Sequence, residues 1–448
     1  TDGSIRFWDL KTYEVIAKIL FYGKDWVVVN RNNLFDGSAG GLAKLFFING
    51  LQTIELTQLK TRYYEPGLLK KIISGEKLRN VLGFNKVELP PEIRVGQVDK
   101  KGNLPIEVIN RGGGIGEVAL YINGKEAIKD LRKPGSDEKG AALSFSIPIS
   151  SNKSLIPGTE NFLAVKAWNA GQWIESRGTV VKYLPPARSE IKPSIHILVC
   201  GVSDYTGDEI DLKYAAKDAE EMSRALELGA KRLFGFDKSH LYALTTSQKQ
   251  NLYPTKANIL KAFEKISATA SSADVFVVYL SGHGINLGGS SGDFHYLTQD
   301  AFTASADAYN DPAIKQQTTL SSQELVELFK KVPALKQVLI IDACASGKVV
   351  DNLIAKRDIE SSTLRALDRM KDRTGMHIIT GCTADAVSYE ASRYGQGVLT
   401  YSLLEGLRGL ALREEKFVDV SQLFQFAQER VPVLASGIGG IQTPQVFS

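Results

Sequence analysis

The sequence predicts a multidomain protein with a C-terminal α/β domain, preceded by an all-β sandwich and a short N-terminal β segment. Three observations support this fold class. Residues 194–448 alternate buried-strand patterns with helical ones, which is typical of a mainly parallel sheet flanked by helices. Residues 89–185 contain short alternating runs separated by turn signals, and residues 1–49 are rich in β-forming runs. A length of 448 residues accommodates about two to four domains.

The composition is that of an ordinary soluble globular protein, with 43% hydrophobic and 23% charged residues. A net charge of +4 is too small to indicate binding to nucleic acid or to an anionic membrane surface. No apolar run reaches the length of a membrane span. The cysteines, Cys200, Cys344 and Cys382, are too few for a disulfide framework, so a cytoplasmic location is expected. Because Thr1 is not an initiator methionine, the chain is expected to be processed or part of a longer protein.

The N-terminal decapeptide, TDGSIRFWDL, contains a turn signal and the pair Trp8-Asp9 between apolar residues. This pattern resembles the end of a WD repeat, and residues 14–49 could supply a few more strands. A propeller blade needs neighbouring blades to bury its faces, and only one such signature occurs. Residues 1–50 are therefore predicted to be a WD-repeat propeller remnant, with a small irregular β segment as the alternative.

Two further segments separate this region from the α/β domain. Residues 51–88 are predicted to be a helical connector, because Pro66 precedes and Gly75 follows the run of a short helix. Residues 89–186 are predicted to form a β-sandwich bounded by Leu-Pro-Pro at each end. The sandwich resembles an immunoglobulin-like domain in architecture alone, since it lacks the cysteine pair of true immunoglobulin domains.

The pattern from residue 194 onward predicts helices that connect parallel strands. Strands are expected at residues 195–201, 274–280, 337–341 and 376–380. Helices are expected at residues 214–234, 255–268, 321–330, 398–405 and 418–430, the second of them with Thr255 as its N-cap.

Two strands of this domain end at reactive side chains. His283 follows the strand at 274–280, and Cys344 follows the strand at 337–341. Chemistry in open α/β sheets collects beyond the carboxyl ends of the strands, so adjacent strands would bring the two residues together. An imidazole can take the proton of a thiol and later return it to a leaving amine. The amides of Gly284 and Cys344 could then face a developing oxyanion.

The motifs Ser281-Gly282-His283-Gly284 and Asp342-Ala343-Cys344-Ala345-Ser346-Gly347 resemble those of caspase-like peptidases of the metacaspase and orthocaspase type. The resemblance covers about residues 190–448, and Ala345 stands where many metacaspases carry a histidine. It implies a caspase-like fold with a large part at 190–350 and a small part at 375–448. It also implies that Cys344 is the nucleophile and His283 the general base and acid. The alternative is that both are ordinary residues at strand ends.

The resemblance further implies a pocket for a basic side chain, formed by Asp218, Ser281 and Asp342. A pocket for Arg or Lys requires carboxylates, ideally two oxygens placed for a guanidinium. Asp218 taken alone could be a solvated charge on a helix. Asp342 is harder to dismiss, because an acid at the end of a buried strand is unfavourable without a partner.

The stretch at residues 348–375 suggests two further properties. Asp351 matches a calcium-binding position of many metacaspases, so calcium is a candidate ligand although no cofactor is required. Self-cleavage is predicted after Lys356, Arg357 or Arg373, because exposed loops are where proteolytic nicking concentrates. The same stretch could instead form an amphipathic helix, or a surface segment that is never cut.

The sequence therefore predicts a cytoplasmic cysteine endopeptidase that cleaves proteins after Arg or Lys. This activity is expected to be controlled by self-cleavage and by the N-terminal β domains, which would bind a regulatory protein partner. Neither nucleic acid nor a membrane is an expected partner. The alternative is a catalytically silent scaffold that binds partners through the same fold. The run Gly288-Gly289-Ser290-Ser291-Gly292 matches a serine-hydrolase pattern, but that motif requires a strand-to-helix turn, and this run is expected to lie in a Gly/Ser loop.

Overall fold

A computed structural model describes residues 3–49, 52–82, 88–136, 138–187, 192–287, 293–343, 361–381, 390–391, 393–414, 417–440 and 442–447. The chain forms two compact units, residues 1–187 and residues 188–448. Within the described ranges, none of the helices combines the length and the apolar character that crossing a bilayer would require.

The first unit consists mainly of short β-strands. Its elements are β1 (Ser4–Trp8), β2 (Val15–Tyr22), β3 (Asp25–Asn30), β4 (Phe35–Gly37), α1 (Ala39–Leu42), β5 (Phe46–Asn49), β6 (Gln52–Glu55), α2 (Lys60–Tyr63), α3 (Leu68–Ser74), β7 (Glu92–Val95), β8 (Asn103–Ile109), β9 (Val118–Ile122), β10 (Lys125–Ile128), β11 (Ala142–Pro148), β12 (Asn161–Ala167) and β13 (Thr179–Tyr183).

Strands β1 to β4 form one antiparallel sheet in sequential order. Gly23, with φ of 66°, lies in the tight turn between β2 and β3, where the register pairs Tyr22 with Asp25. Both faces of β3 are buried, since Val28 belongs to one core cluster and Val27 to another. A four-stranded antiparallel sheet is also the architecture of a single propeller blade, and the WD-repeat origin of this segment stays a prediction.

Strands β7 to β13 form two antiparallel sheets, ordered β10-β9-β12-β13 and β11-β8-β7. Alternate residues of β12 are buried, and Leu163 and Val165 share one core with Leu104 and Ile106 of β8. The predicted N-terminal β-strands are thus present. The immunoglobulin likeness stays a prediction.

The second unit alternates strands and helices. Its elements are β14 (Ile195–Gly201), α4 (Ala215–Phe234), β15 (Ser239–Thr245), α5 (Lys256–Thr269), β16 (Val275–Gly282), β17 (Gly284–Leu287), β18 (Asp293–Leu297), α6 (Pro312–Thr318), β19 (Thr319–Ser321), α7 (Ser322–Lys331), β20 (Lys336–Ala343), α8 (Ser361–Thr374), β21 (His377–Thr380), β22 (Glu390–Ala391), β23 (Gln396–Gly397), α9 (Val398–Glu405), β24 (Leu412–Arg413), β25 (Phe417–Val418), α10 (Val420–Ser436) and β26 (Gln445–Phe447).

The main sheet of this unit has the order β15-β14-β16-β20-β21-β26. Neighbouring strands from β15 to β21 pair in parallel, and β26 pairs antiparallel with β21. Helices cover both faces: Cys200 shares a core cluster with Phe263 of α5 and Phe329 of α7, whereas Val199 shares another with Met222 of α4. Burial on both faces explains why these strands are near-continuous apolar runs. The predicted α/β arrangement is therefore present, with a mixed sheet.

Local signals set the ends of several helices. Thr255 accepts a hydrogen bond from the backbone N–H of Asn258 and so caps α5, as predicted. Ser321 and Glu324 form a reciprocal capping box at the start of α7. These caps satisfy backbone donors that would otherwise have no partner at a helix N-terminus.

Candidate active site

The carboxyl ends of three parallel strands meet at one edge of the sheet. The register pairs Gly201 of β14 with Ser281 of β16, and Ser281 with Asp342 of β20. One residue further, Gly282 is paired with Ala343. His283 and Cys344 directly follow this last pair in the sequence. Cys344 itself lies outside the described residues, so the structure gives no distance from its sulfur to the imidazole.

The imidazole of His283 is held by a backbone carbonyl. The residue is 3% exposed, and its Nε2 lies 2.8 Å from the carbonyl oxygen of Ile210. Because a carbonyl only accepts hydrogen bonds, the neutral ring carries its proton on Nε2 and leaves the lone pair on Nδ1. Nδ1 has no hydrogen-bond partner among the described residues. This tautomer leaves Nδ1 able to take a proton.

Burial also determines the protonation state of this ring. It lowers the pKa of His283 to about 4, and the hydrogen bond to the Ile210 carbonyl acts in the opposite direction. The imidazole is therefore neutral at physiological pH, which is the state that a general base requires.

Tyr205 binds the backbone of His283 and holds it in place. The backbone N–H of His283 donates to the Tyr205 hydroxyl at 2.8 Å, and the two rings lie 5.3 Å apart. Gly282 precedes His283 with φ of 151°, and a Cβ added there would lie 2.7 Å from the Tyr205 oxygen. Only glycine fits at this position, for both reasons. Burial raises the pKa of Tyr205, so its hydroxyl keeps its proton.

The two predicted pocket acids are both buried. Asp218, in the first turn of α4, is 2% exposed, which excludes a solvated helix charge, and Asp342 is 6% exposed. Each has a partner near the start of α9: Gly397 N–H donates to Asp218 Oδ2 at 2.9 Å, and Thr400 N–H donates to Asp342 Oδ2 at 3.2 Å. Burial raises the pKa of Asp342, and the bonds from Thr400 act in the opposite direction.

Close packing brings the start of α4 against the carboxyl end of β14. A Cβ added to Gly201 would lie 2.4 Å from the Cβ of Ala219 and 2.6 Å from the carbonyl oxygen of Ala215. Because Gly201 has no side chain, the start of α4 can approach the end of β14. Asp218 lies in this first turn of α4. Ser281 is also buried, beside Asp342 in the register.

Several contacts of this site were absent from the sequence prediction. Ile210, Tyr205, Gly397 and Thr400 contact the predicted residues through backbone atoms or single hydroxyl groups. A backbone carbonyl or N–H leaves no signature in the residue type, so no motif pointed to Ile210 or Gly397. The position of Tyr205 just beyond a buried strand was the one available signal for that residue.

Of the remaining predicted residues, Gly284 is buried at the start of β17, where the register pairs it with Tyr296 of β18. The others divide into two groups. Asp351, Lys356 and Arg357 lie outside the described residues. Arg373 lies in the last turn of α8, and its Nη2 donates to Glu327 at 3.1 Å. The residue that follows it, Thr374, is completely buried, so this peptide bond is poorly placed for proteolysis. Across the part of the chain that the structure describes, no three His, Cys, Asp or Glu side chains are grouped to hold a metal ion.

Comparison with known proteins points to one family. A family model described as "Caspase domain" matches residues 195–448. Metacaspase-4 of Arabidopsis thaliana is 27% identical over 161 residues, which cover 36% of this chain and 35% of that protein. Metacaspase-6 of the same plant is 26% identical over 172 residues, which cover 38% and 42%. The matched regions thus span about a third to two fifths of the length of these relatives.

A solved structure of the Geobacter sulfurreducens protein GSU0716 covers 57% of this chain and 93% of its own, at 19% identity and a TM-score of 0.36. That similarity is too low to bear on the fold or the function.

Proposed function

Because the chain belongs to the caspase-domain family, we propose that it is a cysteine endopeptidase that cleaves proteins after Arg or Lys with Cys344 and His283. The observation that carries this substrate class is the pair of buried acids, Asp218 and Asp342, beside the strand end that leads to His283. The family match and the metacaspase relatives support the coarser assignment, a peptidase of the caspase type that acts on proteins.

In the proposed mechanism, His283 Nδ1 takes the proton of the Cys344 thiol, and the thiolate attacks the carbonyl carbon of the scissile peptide bond. The amides of Gly284 and Cys344 donate to the oxyanion that forms. His283 returns its proton to the leaving amine, and a thioester remains on Cys344. Water, deprotonated by His283, then hydrolyses the thioester and releases the acid product. The Ile210 carbonyl supports this cycle, since it orients the ring and stabilises the imidazolium.

The proposed specificity follows from charge. Two carboxylates in a buried site are unfavourable without a cation, and a guanidinium or ammonium group of the substrate supplies one. Arg has the additional advantage of a planar fork that can bind two carboxylates at once. A substrate with Asp before the scissile bond would meet repulsion instead.

Regulation is part of the same proposal. Self-cleavage after Lys356 or Arg357 would separate the large and small parts, with Arg373 a weaker candidate because of its helix. The β domains of the first unit would bind a regulatory protein partner. Calcium would bind at Asp351 as an additional ligand. The proposed location of the protein is the cytoplasm. We also propose domain boundaries at residues 50, 88 and 186–190, and a small part of the peptidase domain that starts at residue 375.

Fluorogenic peptides with Arg, Lys or Asp before the scissile bond test the proposal. Cys344→Ala and His283→Ala should each lower kcat/KM by at least about a thousandfold, and the double variant should be no slower, because the two residues act as a unit. Substantial turnover by Cys344→Ala would overturn the choice of nucleophile. A preference for Asp would overturn the acidic pocket. Failure to cleave any peptide, with and without calcium, would favour the silent scaffold.

A further inference from the structure

The start of α9 contacts both pocket acids. Gly397, the N-cap, donates its N–H to Asp218 Oδ2, and Thr400 donates its N–H to Asp342 Oδ2. The Thr400 hydroxyl forms a second hydrogen bond to the same Asp342 oxygen. One helical turn therefore holds carboxylates that come from two different elements, α4 and β20.

The Thr400 hydroxyl has a second neighbour. The hydroxyl of Tyr279 lies 2.5 Å from it, and both residues are fully buried. A hydroxyl has one proton, and an ionised carboxylate only accepts hydrogen bonds. When Asp342 is ionised, Thr400 must donate to Asp342, and Tyr279 must donate to Thr400. This chain of donors ends on the carboxylate and favours its charged form.

Gly397 occupies the space between the acids. Its φ of −64° and ψ of 143° are values that any residue adopts, so the backbone conformation does not require glycine. A Cβ added at this position would lie 2.9 Å from Asp342 Oδ2 and 3.0 Å from Asp218 Oδ2. The close approach of two carboxylate oxygens, and not the backbone conformation, is therefore what an added side chain would disturb.

We infer that this turn sets the specificity of the pocket: Thr400 is a positioning residue that orients Asp342, and Gly397 keeps open the spacing that lets a guanidinium bind both acids. The inference rests on the proposed function and deepens it. Arg substrates depend on both features, because a planar fork must meet two carboxylates at fixed positions. Lys substrates present a point charge and depend less on the spacing.

Thr400→Val tests the hydroxyl, since valine keeps the shape of threonine and lacks its donor. Loss of a hydrogen bond to a charged group should raise KM for an Arg peptide by about tenfold or more, with kcat changed by less than about twofold. Thr400→Ser, which retains the donor, should stay within about threefold of the wild type. Thermal unfolding of each variant checks that it is folded.

The pH dependence of kcat/KM distinguishes the positioning of Asp342 from a purely structural role of Thr400, which would leave this dependence unchanged. Removing the Thr400 hydroxyl leaves the pKa of Asp342 higher, although the backbone N–H of residue 400 still donates to this carboxylate. Asp218 and Tyr279 are the other ionisable groups near it. The acid limb of kcat/KM for the Arg peptide should therefore move to higher pH in Thr400→Val. The pH profile of alkylation by iodoacetamide, which reports on the thiol, should not move. If Thr400→Val does not fold, Tyr279→Phe should shift the acid limb in the same direction by a smaller amount.

Gly397→Ala tests the spacing, with Gly229→Ala as the matched control. Gly229 lies within α4 and has no atom within 4 Å of an added Cβ, so its substitution should leave both substrates unaffected. Gly397→Ala should lower the ratio of Arg to Lys cleavage by about tenfold, since one displaced carboxylate removes half of a bidentate contact. An unchanged ratio would overturn the role of Gly397.

Binding of agmatine, the decarboxylated form of arginine, separates this inference from catalysis. Calorimetry in a Cys344→Ala background should show binding to the parent, weaker binding to Thr400→Val and to Gly397→Ala, and restored binding to Thr400→Ser. Unchanged binding in Thr400→Val, or equal losses in Thr400→Val and Thr400→Ser, would overturn the positioning role even if the enzyme cleaves Arg peptides. Absence of binding to the parent would overturn the inference. Agmatine binding without any peptidase activity would instead refute the proposed function and leave the pocket assignment standing.

Discussion

His283 combines a buried ring, one hydrogen bond to a backbone carbonyl and a pKa that burial lowers to about 4. An ordinary imidazole becomes protonated below pH 6.5, whereas this one stays neutral until the pH approaches about 4. The unfolded chain takes up the proton first. The contribution of this residue to stability is therefore complete above pH 6.5 and is lost as the pH falls from 6.5 toward about 4.

NMR titration of Cys344→Ala should give His283 an apparent pKa well below the ordinary value of 6.5. The nucleophile is removed so that its thiol does not titrate together with the ring. His295, whose pKa burial also lowers to about 4, is distinguished by repeating the titration with His295→Gln. A value near 6.5 for His283 would mean that its ring is solvated and not enclosed as described.

Single residues also show which features of the site can be predicted from the sequence. His283 and Asp342 stand at strand ends, where residue type and position coincide, so the sequence identified both. Ile210 and Thr400 are 73 and 58 positions away from the residues they contact, and their contacts depend on the tertiary fold. The positions of His283 and Asp342 were therefore predictable, whereas the groups that contact them were not, and the catalytic and binding roles stay predictions.

Among the main-sheet strands of the second unit, those that were predicted correctly have long apolar runs. Strands β14, β16, β20 and β21 are buried on both faces, and this gives them a continuous hydrophobic signal. The sequence did not predict the edge strand β15, the small sheet β17-β18-β19 or the three-residue β26. Short or half-buried strands pair with neighbours that only the folded chain provides, so their local pattern is weak.

The contact between α4 and β14 makes a prediction at this scale. Gly201→Ala places a Cβ within 2.4 Å of Ala219 Cβ and 2.6 Å of the Ala215 carbonyl, so the helix or the strand must move. Overpacking of this kind should destabilise the unit by about 1–3 kcal/mol and displace Asp218. Urea unfolding measures the first effect and KM for an Arg peptide the second. Gly229→Ala, in the same helix with open space around it, should instead stabilise by about 0.5–1 kcal/mol. Equal stability of the two variants would contradict the close contact.

Helix α8 limits where self-cleavage can occur. Leu367 and Met370 are buried, so the amphipathic helix that the sequence allowed is present from Ser361 to Thr374. Cleavage after Arg373 would require the last turn of this helix to unfold and the buried Thr374 to become exposed. We therefore expect fragments that end at Lys356 or Arg357.

Mass spectrometry of the incubated chain tests this expectation. The double variant Lys356→Ala/Arg357→Ala should remain intact, and Arg373→Ala should give the same fragments as the wild type. Cys344→Ala serves as the control for a contaminating protease, which would produce fragments from it as well. Fragments that end at Arg373 would show that α8 opens before cleavage.

At the scale of the whole molecule, each compact unit contains its own buried cores. Two clusters consist of residues from the second unit, and three consist of residues from the first. Units with separate cores can unfold in separate steps, in which case a single melting temperature would not describe the chain.

Calorimetry of core variants tests this independence. Phe329 is fully buried in the second unit, where its ring lies 5.6 Å from Phe263 and 5.2 Å from Phe276, so Phe329→Ala should cost about 3–5 kcal/mol there. Leu120 is fully buried in the first unit, and Leu120→Ala should cost about 2–5 kcal/mol in that unit. We expect two thermal transitions, each lowered by only one of the variants, and loss of peptide cleavage to follow the transition that Phe329→Ala lowers. A single transition lowered by both variants would mean that the units unfold as one, and that substitutions in the β domains act directly on the stability of the site.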